Sequence, residues 1–341
     1  MTNLYIRDHG MKVSRRGERL VVSKGGKVVD EVPLGQVEQV VLNGNSQITS
    51  QAMRSVIQRG GRVTHLFGND VVDSTGSYSK SAELHLTQMR RFDSEAFCLG
   101  IAQQIIIGKI NNQRTLLQRQ AKRVTTNGFV VDRQLYQRGL QGMQTMLKAV
   151  SSAKNLDSLR GYEGKAAAFY FEAVRSLLHP SWGFKKRDFY PAPDPFNALL
   201  SLSYTLVRKE VLAAASQVGL NPFIGFFHVV ASGRQALAID MMEEWRPVVA
   251  DALALELVNR RILTPQSFRR TPNPRRPVEL GDESIKLVIK GFESRLATSH
   301  FHPMAGRGGN TSLRQAILLQ MRQLAQVIQG KREQFEPLKI R

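Results

Sequence analysis

Three short segments hold the side chains that could do chemistry. They are Glu163 in Gly161-Tyr162-Glu163-Gly164, His228 at the end of Gly225-Phe226-Phe227-His228, and Asp240, Glu243 and Arg246 in Asp240-Met241-Met242-Glu243-Glu244-Trp245-Arg246. Asp240 and Glu243 are three residues apart, so a helix sets them on one face. Two carboxylates on one face repel unless a cation or a proton separates them. Carboxylates together with one imidazole suit a divalent cation with open positions. Oxygen ligands fit Mg²⁺, and the nitrogen ligand leans toward Mn²⁺. Such an ion polarises a phosphodiester and lowers the pKa of an attacking hydroxyl. Arg246, three residues beyond Glu243, is placed to hold a phosphate or to stabilise charge developing on phosphorus.

Each residue has a plainer reading beside this one. Glu163 stands where a helix is expected to begin, at 164, and the helix dipole favours a carboxylate there without any function. The small residues that follow it admit a second helix at close range, which would bring partner side chains near. A histidine after an apolar run is often a satisfied core residue. The 240/243 pair could be a solvated acidic face, although Leu237, Met241 and Met242 make that helix strongly apolar. Arg246 could be a surface arginine ahead of Pro247, which kinks or restarts the helix.

The elements that must position these groups follow from periodicity. The first part of the chain alternates as short strands do: Leu4-Tyr5-Ile6, Arg19 to Val22, Lys27 to Val29, 37–42 and 63–67. Arg16-Gly17 and Gly25-Gly26 read as hairpin turns. Thr49-Ser50 reads as the cap of a helix over 51–59, closed by Gly60-Gly61. Beyond Leu84 the period becomes helical. The spacing predicts helices over 92–121, 134–152, 164–178, 195–218, 234–245, 248–261, 283–298 and 311–330. The expected architecture is α+β: a small N-terminal β-rich domain (1–86), a larger all-α domain (87–330) and a C-terminal tail (331–341). Basic, proline-rich loops are expected over 179–195 and 264–277. The segment 304–310 reads as a connector, or as a phosphate cradle at the start of the last helix.

Composition narrows the class. The 341 residues include 48 Lys+Arg and 28 Asp+Glu, a net charge of +20 that favours a polyanionic partner, nucleic acid or an anionic membrane surface. Lys185-Lys186-Arg187, Arg269-Arg270 and Arg275-Arg276 are the candidate phosphate contacts, or simply solvated charge. One cysteine, Cys98, excludes a disulfide framework and a multi-thiolate zinc site, and its apolar setting suggests a buried small side chain. No segment approaches the ~20 apolar residues of a membrane span, and the N-terminus lacks a signal-peptide pattern. The cytoplasm is the expected compartment. No Gly-rich turn ends in Gly-Lys-Ser/Thr, so nothing suggests a phosphate-loop nucleotidase.

In this order and spacing the segments resemble the CRISPR-associated spacer integrase, the endonuclease that is the first of the two universal CRISPR adaptation proteins. The resemblance is carried by Gly161-Tyr162-Glu163-Gly164 with Tyr170-Phe171, Asn197-Ala198-Leu199-Leu200 leading to Tyr204, and Gly219-Leu220-Asn221-Pro222 into Gly225-Phe226-Phe227-His228. The most specific stretch runs from Arg234 through Asp240 and Glu243 to Pro247, and Phe335-Glu336-Pro337-Leu338 is similar to the family's ending. The resemblance implies an N-terminal domain that forms a homodimer and a helical catalytic domain. It implies a metal site from Glu163, His228 and Glu243, with Asp240 adjacent. Many relatives have Asp where Glu243 stands, one methylene shorter. It places Arg246 near the scissile phosphate and Tyr204 as an aromatic hydroxyl near the site, with packing as its other reading. It implies that Asn197 orders the start of its helix. The reaction implied is insertion of a short DNA fragment into a repeat array by attack of its 3′-hydroxyl, with a small companion subunit bridging two dimers. A non-catalytic nucleic-acid scaffold of the same fold and charge is the alternative. A peripheral membrane protein would need a basic amphipathic helix with exposed aromatics, which the sequence lacks.

Overall fold

The computed structural model describes residues 2–6, 8–67, 70–75, 82–124, 132–305 and 309–340. Alternating apolar residues in the first part build two four-stranded sheets. One has the order β1 (Thr2–Ile6), β5 (Val37–Asn43), β7 (Arg62–Phe67), β8 (Asp70–Thr75), with the first three parallel and β8 antiparallel to β7. The other has the order β4 (Lys27–Pro33), β3 (Arg19–Lys24), β2 (Met11–Arg16), β6 (Gln47–Ile48). Gly25 and Gly26, at φ of 55° and 80°, make the two-residue turn between β3 and β4 that needs positive φ at both positions. Val13, Leu20, Val40 and Val63 are buried between these strands and α1 (Ser50–Gln58). Thr49 caps α1 by accepting from the Ala52 N–H, as the sequence predicts.

The rest is mostly helical: α2 (Ala82–Phe92), α3 (Glu95–Val124), α4 (Arg133–Ser151), α5 (Leu156–Ser176), α6 (Pro195–Val218), α7 (Ala236–Met242), α8 (Ala252–Asn259), α9 (Asp282–Leu296) and α10 (Leu313–Ile328). The strand-rich part gives way to helix between β8 and α2, so residue 86 lies inside α2. Two short hairpins interrupt the helices. The pair β9 (Phe268–Arg270) and β10 (Val278–Leu280) occupies the expected loop over 264–277, and β11 (Ser299–Phe301) pairs with β12 (Asn310–Ser312). The α10 cap is Ser312. Of the segment 304–310, Gly306-Arg307-Gly308 lie outside the described residues.

Two helix boundaries differ from the sequence reading for identifiable reasons. Helix α5 starts eight residues early because Asn155 and Ser158 form a capping box, so Glu163 lies in the body of the helix and not at its dipole end. After α7 the chain turns and runs as a π-helix over Arg246–Asp251 before α8. Pro247 cannot donate to an α-helical ladder there. Helices α4 and α5 pack closely: a Cβ on Gly139 would lie 2.7 Å from that of Ala173, so glycine is required at the crossing.

A buried ionic hub joins the two parts. From β1, Asn3 donates to Glu210 (2.9 Å) and Tyr5 to Glu293 (2.7 Å). Lys209 donates to the Tyr5 hydroxyl (2.5 Å) and pairs with Glu210 (3.0 Å), while Arg314 bridges Glu210 (3.0 Å) and Glu293 (2.7 Å). The C-terminal tail is equally fixed. Leu338 N–H donates to Glu244, Ile340 N–H to Asn112, and Asn112 donates back to the Leu338 carbonyl, each at 2.9 Å. Arg314→Met removes the cation shared by Glu210 and Glu293, leaving Glu210 with Lys209 and Asn3, and Glu293, which is partly exposed, with the Tyr5 hydroxyl. Urea unfolding should show a loss of about 1–3 kcal/mol; a change within experimental error would mean this arm of the hub carries no stability.

Candidate active site

Helix α7 and the turn after it carry Asp240 and Glu243; the Gly225–His228 loop lies across them. Asp240 is fully buried and accepts four hydrogen bonds: from the backbone N–H groups of Phe226 (2.6 Å), Phe227 (2.9 Å) and His228 (2.9 Å), and from His228 Nδ1 (2.6 Å). Gly225 is necessary for this wrap, because a Cβ there would stand 2.5 Å from Asp240 Oδ2 and 2.7 Å from the Ala236 carbonyl carbon. An ionised carboxylate can only accept, so the proton on this side of the imidazole belongs to Nδ1, and in the neutral ring Nε2 carries the lone pair. His228 Nε2 is turned toward Glu243 Oε1 at 4.0 Å. Asp240 therefore orients the histidine, and Glu243 faces it.

Helix α5 brings Glu163 to the same place. Arg160, one turn before, donates to the Phe227 carbonyl at 2.7 Å and so ties the histidine loop to α5. The close approach is not at the small residues directly after Glu163, where Gly164 has open space; α4 meets α5 farther along, Gly139 against Ala173, and α3 supplies Lys109 to Glu163. The Lys109 ammonium lies 2.5 Å from Glu163 Oε1 and 2.5 Å from Glu243 Oε2, with its side chain 5% exposed. Arg246 NH1 takes the other Glu243 oxygen at 3.1 Å. Glu243 is 3% exposed, whereas His228 (22%) and Arg246 (26%) open to solvent, so the site has a closed floor and an accessible rim. Burial alone would raise the Glu243 pKa; Arg246, Lys109 and His228 outweigh it and bring it down to about 2. Burial pulls Lys109 the other way, and Glu163 and Glu243 reverse that, leaving its pKa raised.

Tyr204 and Arg246 form a second layer. The Tyr204 hydroxyl donates to Asp251 (2.7 Å), as does that of Tyr170 (2.8 Å), so Tyr204 meets the site through its ring. Arg246 and Arg187 both lie over that ring, at 4.9 and 5.2 Å from its centroid. Arg187 also donates to Asn197 (2.8 Å) and Ser201 (3.1 Å), which makes it a structural member of its basic run. Asn197 staples that loop to the start of α6, where Asp194 is the cap. Lys185 and Lys186 stay exposed and line a groove of about 620 Å³ with Arg269, Arg270 and Trp182, so two basic clusters far apart in sequence share one cavity. Cys98 is buried, and burial pushes its thiol up to about 11.

The donor set fits a divalent cation in its chemistry. It offers one imidazole oriented by a buried carboxylate and two further carboxylates, one of which, at Glu243 Oε2, lacks an aligned hydrogen bond. Among the described residues no three such side chains already converge as a cage, because Lys109 stands between Glu163 and Glu243. Lys109, Arg160, Tyr170 and Asp251 are the members that sequence reasoning misses.

Asp251 gives the site a pH signature. Burial pushes its pKa up to about 6, against the hydrogen bonds from Tyr204 and Tyr170 and the nearby Arg246 and Arg187, which lower it. In the unfolded chain it ionises near pH ~4. Between these values the folded protein keeps a proton that the unfolded chain has lost, so this group's contribution to stability falls as pH rises from about 4 to about 6 and is level above. Asp251→Asn cannot titrate. Its melting temperature minus that of the parent should therefore climb across that window; a flat or falling difference would contradict the assignment.

The sequence model of the family described as "CRISPR associated protein Cas1" matches residues 4–294. The "CRISPR-associated endonuclease Cas1 3" of Thermus thermophilus is 32% identical over 343 residues, 99% of this chain and 97% of that protein. Among solved structures, one chain of a "Cas6-RT-Cas1--Cas2 complex" aligns at 26% identity and a TM-score of 0.81, covering 99% of this chain and 36% of that one. A "Casposase bound to integration product" aligns at a TM-score of 0.83 and 20% identity, over 98% of this chain and 93% of that one, a likeness of fold.

Proposed function

The chain belongs to the Cas1 family of CRISPR-associated proteins, and on that premise we propose that it is a metal-dependent DNA endonuclease and integrase that inserts short DNA fragments into a CRISPR repeat array. The observation that carries this reading is His228, locked by buried Asp240 and turned toward Glu243. Mg²⁺ or Mn²⁺ held by Glu163, His228 and Glu243 would polarise the phosphodiester and favour deprotonation of the attacking 3′-hydroxyl. Asp240 fixes the ring orientation of His228. Arg246, anchored on Glu243 and over the ring of Tyr204 with its side chain partly open to solvent, would meet a phosphate and stabilise the charge that builds on its oxygens. Transesterification exchanges one phosphodiester for another, so no nucleotide is consumed. Holding two DNA ends in line supplies much of the rate.

The groove lined by Lys185, Lys186, Arg269 and Arg270 supports binding of the DNA backbone. Two insertions on opposite strands call for paired protomers. The sheet edge at β4, where Val28 and Val29 are exposed, supports pairing through the N-terminal domain. The neighbour named "Cas6-RT-Cas1--Cas2 complex" supports a companion subunit, and in this reading that subunit bridges two dimers. No described helix is long and apolar enough to cross a membrane, and a free buried cysteine suits the cytoplasm.

Glu163→Gln, His228→Ala and Glu243→Gln should each lower Mn²⁺-dependent integration of a labelled duplex into a repeat-bearing plasmid by about 100-fold or more, with DNA binding preserved. Activity surviving all three would overturn the metal-site assignment, whereas a parent protein that binds DNA but shows no integration with Mn²⁺ would favour the non-catalytic scaffold. Replacing Lys185, Lys186, Arg269 and Arg270 together by Ala should flatten the slope of log K against log salt by about 0.9 for each phosphate that is no longer neutralised. Fluorescence anisotropy at several salt concentrations reads this directly, and an unchanged slope would remove the groove from the DNA path.

A further inference from the structure

One buried cation has no part in the reaction described above. Lys109 comes from α3, its side chain is almost wholly enclosed, and its ammonium touches Glu163 and Glu243 at the same 2.5 Å. Its backbone has little freedom to withdraw. Gly108 lies against Pro337 of the tail so closely that a Cβ there would stand 2.5 Å from the proline Cβ. Asn112, less than one turn later, donates to the Glu244 and Leu338 carbonyls (3.1 and 2.9 Å). The ammonium is thus held where the two carboxylates meet. A divalent cation such as Mg²⁺ needs those same carboxylates, at about 2.0–2.1 Å. A monovalent and a divalent cation sharing two carboxylates at such range, away from bulk water, repel strongly. Arg246 already occupies the other Glu243 oxygen, so the carboxylate has no uncontested oxygen to offer.

We propose that Lys109 is the built-in counter-ion of the metal-free protein, holding Glu163 and Glu243 in place and giving way from at least one of them when a divalent cation binds. The inference rests on the metal-dependent reading and adds to it a residue that sets metal affinity. Without the ammonium, two carboxylates would face each other across the site, and they would either splay apart or bind a cation more tightly. The role differs from plain structural pairing, because removing a structural lysine would loosen the site and weaken metal binding.

The test is a Mn²⁺ titration of the full-length, DNA-free protein, followed by the electron paramagnetic resonance of free Mn²⁺. Lys109→Met should bind one Mn²⁺ at least tenfold more tightly than the parent. In EDTA it should melt below the parent, and added Mn²⁺ should raise its melting temperature more than the parent's. Equal or weaker binding by Lys109→Met overturns the proposal. Should the Met variant not fold in EDTA, Lys109→Gln, which keeps a polar head, is titrated in its place against the same two outcomes. His228→Ala separates this from the underlying reading. If it binds Mn²⁺ as well as the parent does, the metal site itself is misassigned and both readings fall. If it binds more weakly while the Lys109 variants are not tighter, only the role of Lys109 falls.

Discussion

The site is organised around one costly fact, a carboxylate buried with almost no access to water. Glu243 has surrendered its hydration, and such a charge persists only with well-placed partners. The surrounding elements supply them. Helix α3 delivers Lys109 to one oxygen, the π-helical turn starts with Arg246 on the other, and the loop pinned by Asp240 sets His228 opposite. Arg246 in turn needs a face to lie on, which Tyr204 gives, and Tyr204 is fixed in rotation by its hydrogen bond to Asp251. Each buried polar group thus makes the next one necessary. This explains why Asp240, Glu243, Glu244 and Asp251 lie deep in one region of a chain whose other charges are mostly outside.

Two helices transmit that arrangement to the rest of the molecule. On one turn of α3, Gly108 receives the tail, Lys109 meets the acids and Asn112 hydrogen-bonds the tail again. The last residues of the chain therefore brace the floor of the site from behind. Glu244 is part of the brace: burial pushes its pKa up to about 8, and it accepts from Gln320 and the Leu338 N–H. Helix α6 works in the opposite direction. Its Tyr204 borders the site, and Lys209 and Glu210, little more than a turn later, enter the ionic hub with β1. Helix α6 therefore reaches both the site and the strand-rich part, where α9 and α10 join it in the hub.

What the sequence reveals and conceals follows the range of the interactions. Asp240 and Glu243 are legible because their spacing is local and their helix is apolar. The turn at Gly25-Gly26 and the Thr49 cap are legible for the same reason, since a few neighbouring residues settle them. Lys109 is concealed: in Gly108-Lys109-Ile110 it reads as a polar break in an apolar helix, and its partner Glu163 is 54 residues away. The early start of α5 is concealed by a weaker cap signal, Asn155 with Ser158 in place of the usual acidic partner. The hairpin of β9 and β10 is concealed because Pro272, Pro274 and Pro277 mark the segment as loop, while its three-residue strands are too short to show alternation. The family resemblance names the site residues, but only the packing shows that Asp240 orients while Glu243 faces the histidine.

The net charge of +20 has a structural counterpart in how the acids are spent. Glu163, Glu210, Glu243 and Glu293 are matched at short range by Lys109, Lys209, Arg246 and Arg314, inside or at the edge of the fold. A matched pair has little field beyond its immediate surroundings, whereas Lys185, Lys186, Arg269 and Arg270 converge on an open groove. Arg269 has Glu279 at 3.3 Å, a solvent-exposed pairing that a phosphate can replace at small cost. The internal acids therefore serve the centre without weakening the positive surface that attracts a polyanion. Two demands that oppose each other in a basic protein, holding carboxylates for chemistry and presenting cations for binding, are met by depth: the carboxylates lie beneath the surface with cations of their own, and the remaining cations face the solvent.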